Sequence, residues 1–262
     1  MLMNDFKGKK IAITRPIERS QEAIEIIEGY SGTVLVAPTL ELVITNTQPL
    51  KDLCKNASEL DWLIFTSPTA ILSIFKHCTD LKDRLNPNCR IAVIGPRTGK
   101  YLSEHGLQAD IIPDDYTAEG LLEIFKDINV KNKNIGLPRT LAARDVLPDG
   151  LKDKGANVLL VEAYKSDLPR DRSKVNEMVQ SIINREVDAV TFTSTLTASN
   201  LFEMVEGEDK GKLLEPLMSG EVLVAAIGPV TAKALKKYGI PTITPDEYTV
   251  KAMLDKLREE MD

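Results

Sequence analysis

The chain writes one string of elements twice, and that duplication limits its fold more than any other feature. "VIGPRTGKYLSEHGL" (93–107) is answered by "AIGPVTAKALKKYGI" (226–240), and "DWLIFTSPTAILSIF" (61–75) by "DAVTFTSTLTASNLF" (188–202). "PDDYTAEGLL" (113–122) returns as "PDEYTVKAML" (245–254), and "KKIAITRP" (9–16) more faintly as "KNIGLPRT" (133–140). A repeat of this kind means that each copy builds the same supersecondary unit. Each copy opens with a short apolar strand (Ile11–Ile13 or Ile135–Leu137) that runs to an arginine, Arg15 or Arg139. An amphipathic helix follows, clearest in "SQEAIEIIEGY", and then a strand after the next glycine (Val34–Ala37 or Val158–Val161). The third and fourth strands are Trp62–Phe65 with Ile91–Ile94, and Ala189–Phe192 with Leu223–Ile227, each followed by a helix. A short strand near Ile111 or Ile243 and a last helix complete the copy. Apolar runs of four or five residues between longer helical patterns indicate parallel sheets covered on both faces. The prediction is an α/β protein with internal duplication, made of two five-stranded parallel-sheet units.

Composition narrows the function classes. At 262 residues there is room for two modest domains. The 43% apolar and 27% charged content is ordinary for a globular protein, and no run of about 18 apolar residues suggests a membrane span. "MLMNDFKGKKIAITRP" has no apolar signal core. Cys54, Cys78 and Cys89 show no C-x-x-C spacing, which predicts reduced packing thiols in a cytoplasmic protein. His77 and His105 have no partner at ligand spacing, so no metal site is expected. The net charge of −6 argues against nucleic acid, whose binders draw most of their affinity from a basic surface. A small anionic ligand stays open, because local positive potential can outweigh net charge.

In an open parallel sheet, ligands bind beyond the carboxyl ends of the strands. The loops there are "TRP", "TSP" and "TST", "GPRT" and "GPVT". Ser67 before Pro68 is a good N-cap with proline at the first helical position. Gly95-Pro96 and Gly228-Pro229 turn sharply and leave backbone N–H groups uncovered, which suits anions at helix starts. Arg15, Arg139 and Arg144 offer guanidinium forks that match carboxylates. Taken singly, a Thr-Ser pair before a helix is just a cap, and Lys100, Lys165, Lys233 and Lys236 read as solvated surface charges. The same holds for Glu162 and the Asp114-Asp115 pair as surface or turn residues. Repetition of the hydroxyl and Gly-Pro set in both units favours a ligand: if the units face one another, these loops line one cleft. There is no G-x-S-x-G elbow, H-E-x-x-H, Walker loop or G-x-G-x-x-G. An enzyme built this way works by holding its substrate.

"ITRP", "DWLIFTSPTA", "VIGPRT", "PDDYTAEGLL", Arg139 and Arg144 with "LPDGLKDKGANVLLVEAY", then "FTST" and "AAIGPVTAKAL" come in an order and spacing that resemble the uroporphyrinogen-III synthase family over essentially the whole chain. The chain departs from the family's common residues at Thr69, Thr140 and Thr195. The resemblance implies two flavodoxin-like domains joined by a two-stranded linker. The first domain would hold 1–37 with 168–262, the second 44–161, and the linker 38–43 with 162–167. It implies a cytoplasmic monomer without cofactor or metal that converts the polycarboxylate hydroxymethylbilane to uroporphyrinogen III, with loss of water, inversion of ring D and hinge motion for entry and release. By the same resemblance Tyr164 is the catalytic residue, a neutral donor to the departing hydroxyl. The substrate-binding residues are Arg15, Thr66, Ser67, Thr98, Arg139, Arg144, Thr193, Ser194, Gly228, Val230 and Thr231. The rival reading is a two-domain sensor that binds a small anion without catalysis; an electron carrier is disfavoured because "ITRPIERSQ" is a poor flavin-phosphate loop, and a phosphorelay receiver because the acidic cluster after its first strand is missing.

Overall fold

A computed structural model describes residues 5–261. Among them run ten strands: β1 (Lys10–Ile13), β2 (Thr33–Val36), β3 (Glu41–Ile44), β4 (Trp62–Phe65), β5 (Arg90–Val93), β6 (Asn134–Arg139), β7 (Asn157–Glu162), β8 (Tyr164–Asp167), β9 (Ala189–Phe192) and β10 (Leu223–Ala226). The chain divides into two compact units, 1–41 with 167–262 and 42–166. It leaves the first unit along β3 and returns to it along β8, and these two strands form a sheet of their own. Pro38–Leu40 precede β3, and Glu162 closes β7.

The first unit carries a parallel sheet in the order β10-β9-β1-β2, and the second one in the order β5-β4-β6-β7. In both, the chain starts in the middle and winds outward in two directions, the doubly wound arrangement of flavodoxin-like folds. The expected fifth strand is present only as a one-residue parallel bridge, Ala225 to Ile243 in the first unit and Ala92 to Ile111 in the second. Proline explains the truncation. Pro113 follows Ile111 closely, and Pro241 and Pro245 flank Ile243, so backbone donors needed for a longer ladder are missing.

Alternation along each strand sends side chains to opposite faces. Ile11 and Ile13 join Ala23, Ile27, Met253 and Leu257 on one face of the first sheet, while Ala12 joins Met178, Ile182 and Leu201 on the other. In the second unit Leu63 and Phe65 pack with Leu50, Ile71 and Ile74, whereas Trp62 and Ile64 pack with Leu121, Phe125 and Leu151. Each fully buried Leu, Ile or Phe contributes about 1.5–3 kcal/mol, so burial on both faces holds each unit. The repeated aspartates have a matching task. Asp188 accepts a hydrogen bond from the Lys10 N–H at 2.7 Å, and Asp61 one from the Asn134 N–H at 2.9 Å, fastening the start of β1 and of β6. Lys133 and that N–H hold the Asp61 carboxyl below its usual range.

Cys54 and Cys78 are buried packing thiols, and burial foremost pushes Cys78 up to about 12. His77 bonds the Thr45 carbonyl oxygen, and the His105 ring lies against Phe75 and Tyr101, so both histidines serve packing. Among the described residues no helix is long and apolar enough to cross a membrane.

Candidate active site

In the first unit the topological switch lies between β1 and β9. Ligands of open α/β sheets bind beyond the strand ends at such a switch. Past β1, Thr14 is buried and donates to the Thr191 carbonyl at 2.8 Å. Arg15 follows, with its guanidinium 3.9 Å from the Glu22 carboxylate. Past β9 come Thr193 and Ser194. Ser194 starts the helix Thr195–Met204 with a reciprocal cap, its hydroxyl accepting from the Thr197 N–H at 3.1 Å while the Thr197 hydroxyl accepts from the Ser194 N–H at 3.3 Å. Past β10, Gly228 starts the helix Pro229–Lys236 without any side-chain cap. Val230 is exposed and Thr231 is buried. Among the described residues no oxygen accepts from the N–H of Val230 or Thr231; the first intrahelical bond runs from Ala232 to the Gly228 carbonyl at 3.0 Å. Those open donors are what an anion needs. A groove of about 950 Å³ lies alongside, lined by Pro229, Ala232, Lys233, Lys236 and Ile240 among others.

The second unit repeats the plan with its switch between β6 and β4. Ser67 caps the helix Pro68–His77, accepting from the Ala70 N–H at 3.3 Å, and donates its own proton to the Tyr164 hydroxyl at 3.0 Å. Thr66 beside it is half-buried. Tyr164 opens β8 with its ring in the apolar core beside Ala163 and Val161. The backbone just before it, at Glu162 and Ala163, is pinned by three bonds. Ser73 donates to the Ala163 carbonyl at 2.5 Å, the Ala163 N–H donates to the Arg139 carbonyl at 2.8 Å, and the Thr45 hydroxyl bonds the Glu162 carbonyl. Sequence reasoning missed Ser67 as a partner of Tyr164, and Ser73 and Thr45 altogether; these contacts join positions 90 or more residues apart.

Past β5, Gly95 starts the helix Pro96–Glu104, again without a side-chain cap, and Thr98 is buried in its first turn. Gly95 has φ +85, whereas its counterpart Gly228 is extended at φ −178. A side chain therefore strains the backbone at 95 and not at 228, where the added Cβ presses only on the largely exposed Tyr248 ring, 3.1 Å away. Gly95→Ala is expected to lose about 1–3 kcal/mol of stability, and Gly228→Ala clearly less. Urea unfolding of the two variants side by side checks this; equal losses would contradict it.

The arginines differ from the sequence expectation. Arg139 is only 3% exposed, and its guanidinium donates to the Arg144 carbonyl at 2.7 Å, the Ala143 carbonyl at 3.2 Å and the Asp145 carboxylate at 2.5 Å. A buried guanidinium needs acceptors, and the loop that follows β6 supplies them to both terminal nitrogens, while the buried Nε has none among the described residues. Arg144 is exposed and grips Glu119 with both ends of its fork, at 2.7 and 3.1 Å. That grip holds the Glu119 carboxyl below its usual range. Neither fork is open here.

Similarity over the whole chain decides the family. A family model described as uroporphyrinogen-III synthase HemD matches residues 21–255. The chain belongs to the uroporphyrinogen-III synthase family. A Methanothermobacter thermautotrophicus protein named "Putative uroporphyrinogen-III synthase" is 48% identical over 96% of this chain and 98% of its own length. A uroporphyrinogen-III synthase of Synechococcus elongatus is 28% identical over 94% of this chain and 93% of its own. Among solved structures, the uroporphyrinogen-III synthetase of Helicobacter pylori superimposes with a TM-score of 0.62 at 18% identity, covering 97% of this chain and all (100%) of the other. A Thermus thermophilus uroporphyrinogen III synthase variant gives 0.57 at 22% identity, over 97% of this chain and 100% of its own. These two show the shared fold. A family member of this kind is a cyclising lyase of tetrapyrrole biosynthesis acting on a small molecule.

Proposed function

We propose that the protein closes hydroxymethylbilane to uroporphyrinogen III, releasing water and inverting ring D, as a cytoplasmic monomer. The observation that carries the reading is the pair of uncapped Gly-Pro helix starts, at Gly95 and Gly228, one in each unit and each beside a buried threonine. The bilane brings eight carboxylates. The N–H groups near Gly228, Val230 and Thr231, with the hydroxyls of Thr98 and Thr231, take some of them, each charge-assisted bond contributing about 1.5–3 kcal/mol. Thr66, Thr193 and Ser194 add hydroxyls beyond β4 and β9, Arg15 adds positive charge beyond β1, and Arg144 exchanges Glu119 for a substrate carboxylate. Arg139 supports this set by holding its loop.

The bond to the terminal hydroxyl breaks as the nitrogen of the pyrrole that bears the hydroxymethyl group, the terminal ring opposite ring D, pushes its electron pair toward the departing group. Tyr164 supplies the proton that lets the hydroxyl leave as water. Because Ser67 donates to the phenol oxygen, the phenol proton itself remains free to be given. The far end of the bilane then attacks through its substituted α-carbon, the spiro intermediate fragments, and the ring recloses turned over. The proton lost as pyrrole aromaticity returns restores Tyr164, so the sum is bilane to uroporphyrinogen III plus water. Left alone, the bilane closes without inversion; holding one end against the other is what positioning can supply.

The rival, a sensor that only binds, separates by stoichiometry. With bilane generated in situ in large excess, a catalyst accelerates its disappearance through many turnovers per chain. A binder protects at most one equivalent and leaves the remainder to close at the rate seen without protein, which would overturn the reading.

A further inference from the structure

The duplicated "PDDYT" and "PDEYT" stretches put an aromatic ring at the same place in each unit, and the threonine and arginine chemistry above makes no use of it. In the second unit the Val93 N–H donates to the Ile111 carbonyl at 2.9 Å; in the first the Ala226 N–H donates to the Ile243 carbonyl, also at 2.9 Å. These bridges bring the following loops to the carboxyl ends of β5 and β10. Each loop then makes the same tight turn, with the Thr117 N–H on the Asp115 carbonyl at 2.7 Å and the Thr249 N–H on the Glu247 carbonyl at 2.8 Å. Thr117 and Thr249 cap the next helices, accepting from Gly120 at 2.9 Å and Ala252 at 3.1 Å. The residue held inside each turn is a tyrosine, Tyr116 or Tyr248.

Both tyrosines approach the glycine of a Gly-Pro helix start, Tyr248 with its ring and Tyr116 with its Cβ and Cγ. A Cβ added to Gly95 would meet Tyr116 at 3.8 Å, and one added to Gly228 would meet the Tyr248 ring at 3.1 Å. Yet Tyr116 is 57% and Tyr248 63% exposed, among the most exposed large apolar side chains of the chain. A ring that served packing would be covered. Here backbone bonds fix the turn that carries each tyrosine while more than half of the residue's surface stays in water, and each lies beside an uncapped helix start with a buried threonine, Thr98 or Thr231. In the first unit a flat face next to the open N–H donors of Val230 and Thr231 matches a flat, electron-rich ring that carries short carboxylate arms, and the second unit repeats the layout at its own uncapped helix start.

We infer that Tyr116 and Tyr248 are substrate-positioning residues, each holding a carboxylated pyrrole ring by its face while an acetate or propionate arm reaches the adjacent helix start. The inference rests on the function proposed above. It explains why the duplication preserves a tyrosine whose ring supports no core. Offset or edge-on aromatic contacts of this kind are modest individually. The effect expected of each is accordingly a binding effect of about three- to tenfold.

The test compares Tyr116→Ala, Tyr248→Ala and the matching phenylalanine variants in three readouts. These are KM and kcat for bilane made in situ, the fraction of isomer III formed, and the dissociation constant for uroporphyrin III, an octacarboxylic tetrapyrrole, read by fluorescence. Each alanine variant is expected to raise KM and the dissociation constant about three- to tenfold with a smaller change in kcat, to lower the isomer III fraction, and to keep its urea midpoint. Phenylalanine, which keeps the face, is expected to rescue all three. Alanine variants within twofold of the parent in both KM and dissociation constant would overturn the inference, as would a loss that tracks the urea midpoint alone. If the parent protein forms no isomer III, the proposed function fails; the porphyrin arm still decides whether the tyrosines hold a carboxylated tetrapyrrole.

Discussion

Tyr164→Phe is expected to lower kcat on the order of 100-fold, the low end of what a positioned proton donor contributes. The ring itself stays in the core beside Ala163 and Val161, so the fold loses only the bond from Ser67. That bond amounts to about 0.5–1.5 kcal/mol, small beside the total stability of a domain. Activity and stability therefore separate. A 100-fold fall in turnover with a urea midpoint moved only slightly supports a proton donor. A kcat within twofold of the parent would remove Tyr164 from the chemistry and leave it as a core tyrosine. Ser67→Ala provides the control in the same experiment, since it removes the donor to the phenol and the Pro68–His77 cap while keeping the phenol proton.

Arg139→Ala is expected to have the largest effect on stability, about 2–4 kcal/mol. The substitution empties a nearly fully buried site and strips partners from the carbonyls of Ala143 and Arg144. Asp145 is itself largely exposed and rehydrates, which keeps the loss below that of a wholly buried ion pair. Arg139→Lys is expected to recover less than half, because one ammonium cannot span three acceptors arranged for a planar fork. Urea unfolding reads both variants. If Arg139 instead grips a substrate carboxylate directly, the alanine variant raises KM while its unfolding midpoint stays put, and that pattern would contradict the loop-building role.

The two arginines show where sequence reasoning reaches its limit. Their type and position beyond a parallel strand suggest carboxylate forks, and that part is legible. What they bond to in the folded chain is not, because the acceptors of Arg139 are backbone carbonyls that exist only once the loop 140–145 has its shape. The Ser67–Tyr164 bond was hidden for a related reason: it crosses 97 residues of chain, and neither residue's local pattern names the other. The sheets were readable because period and repetition are local. Trp62–Phe65 and Ala189–Phe192 stand as strands where the apolar runs put them, and the duplicated aspartates mark the strand starts. The fifth strand shrinks to a bridge where prolines withdraw donors, a signal the sequence carries in Pro113, Pro241 and Pro245. Tyr116 and Tyr248 are equally visible inside the repeat; only the structure shows each beside a glycine with more than half of the residue exposed.

The central claim, that this chain selects the inverted ring closure, is tested most directly by the isomer composition of its product. Hydroxymethylbilane is generated in situ, the purified protein is added, and the porphyrins obtained after oxidation are separated by chromatography. Predominantly isomer III, in an amount that grows with protein concentration, is the predicted result. Isomer I alone, formed at the rate seen without protein, would contradict the claim.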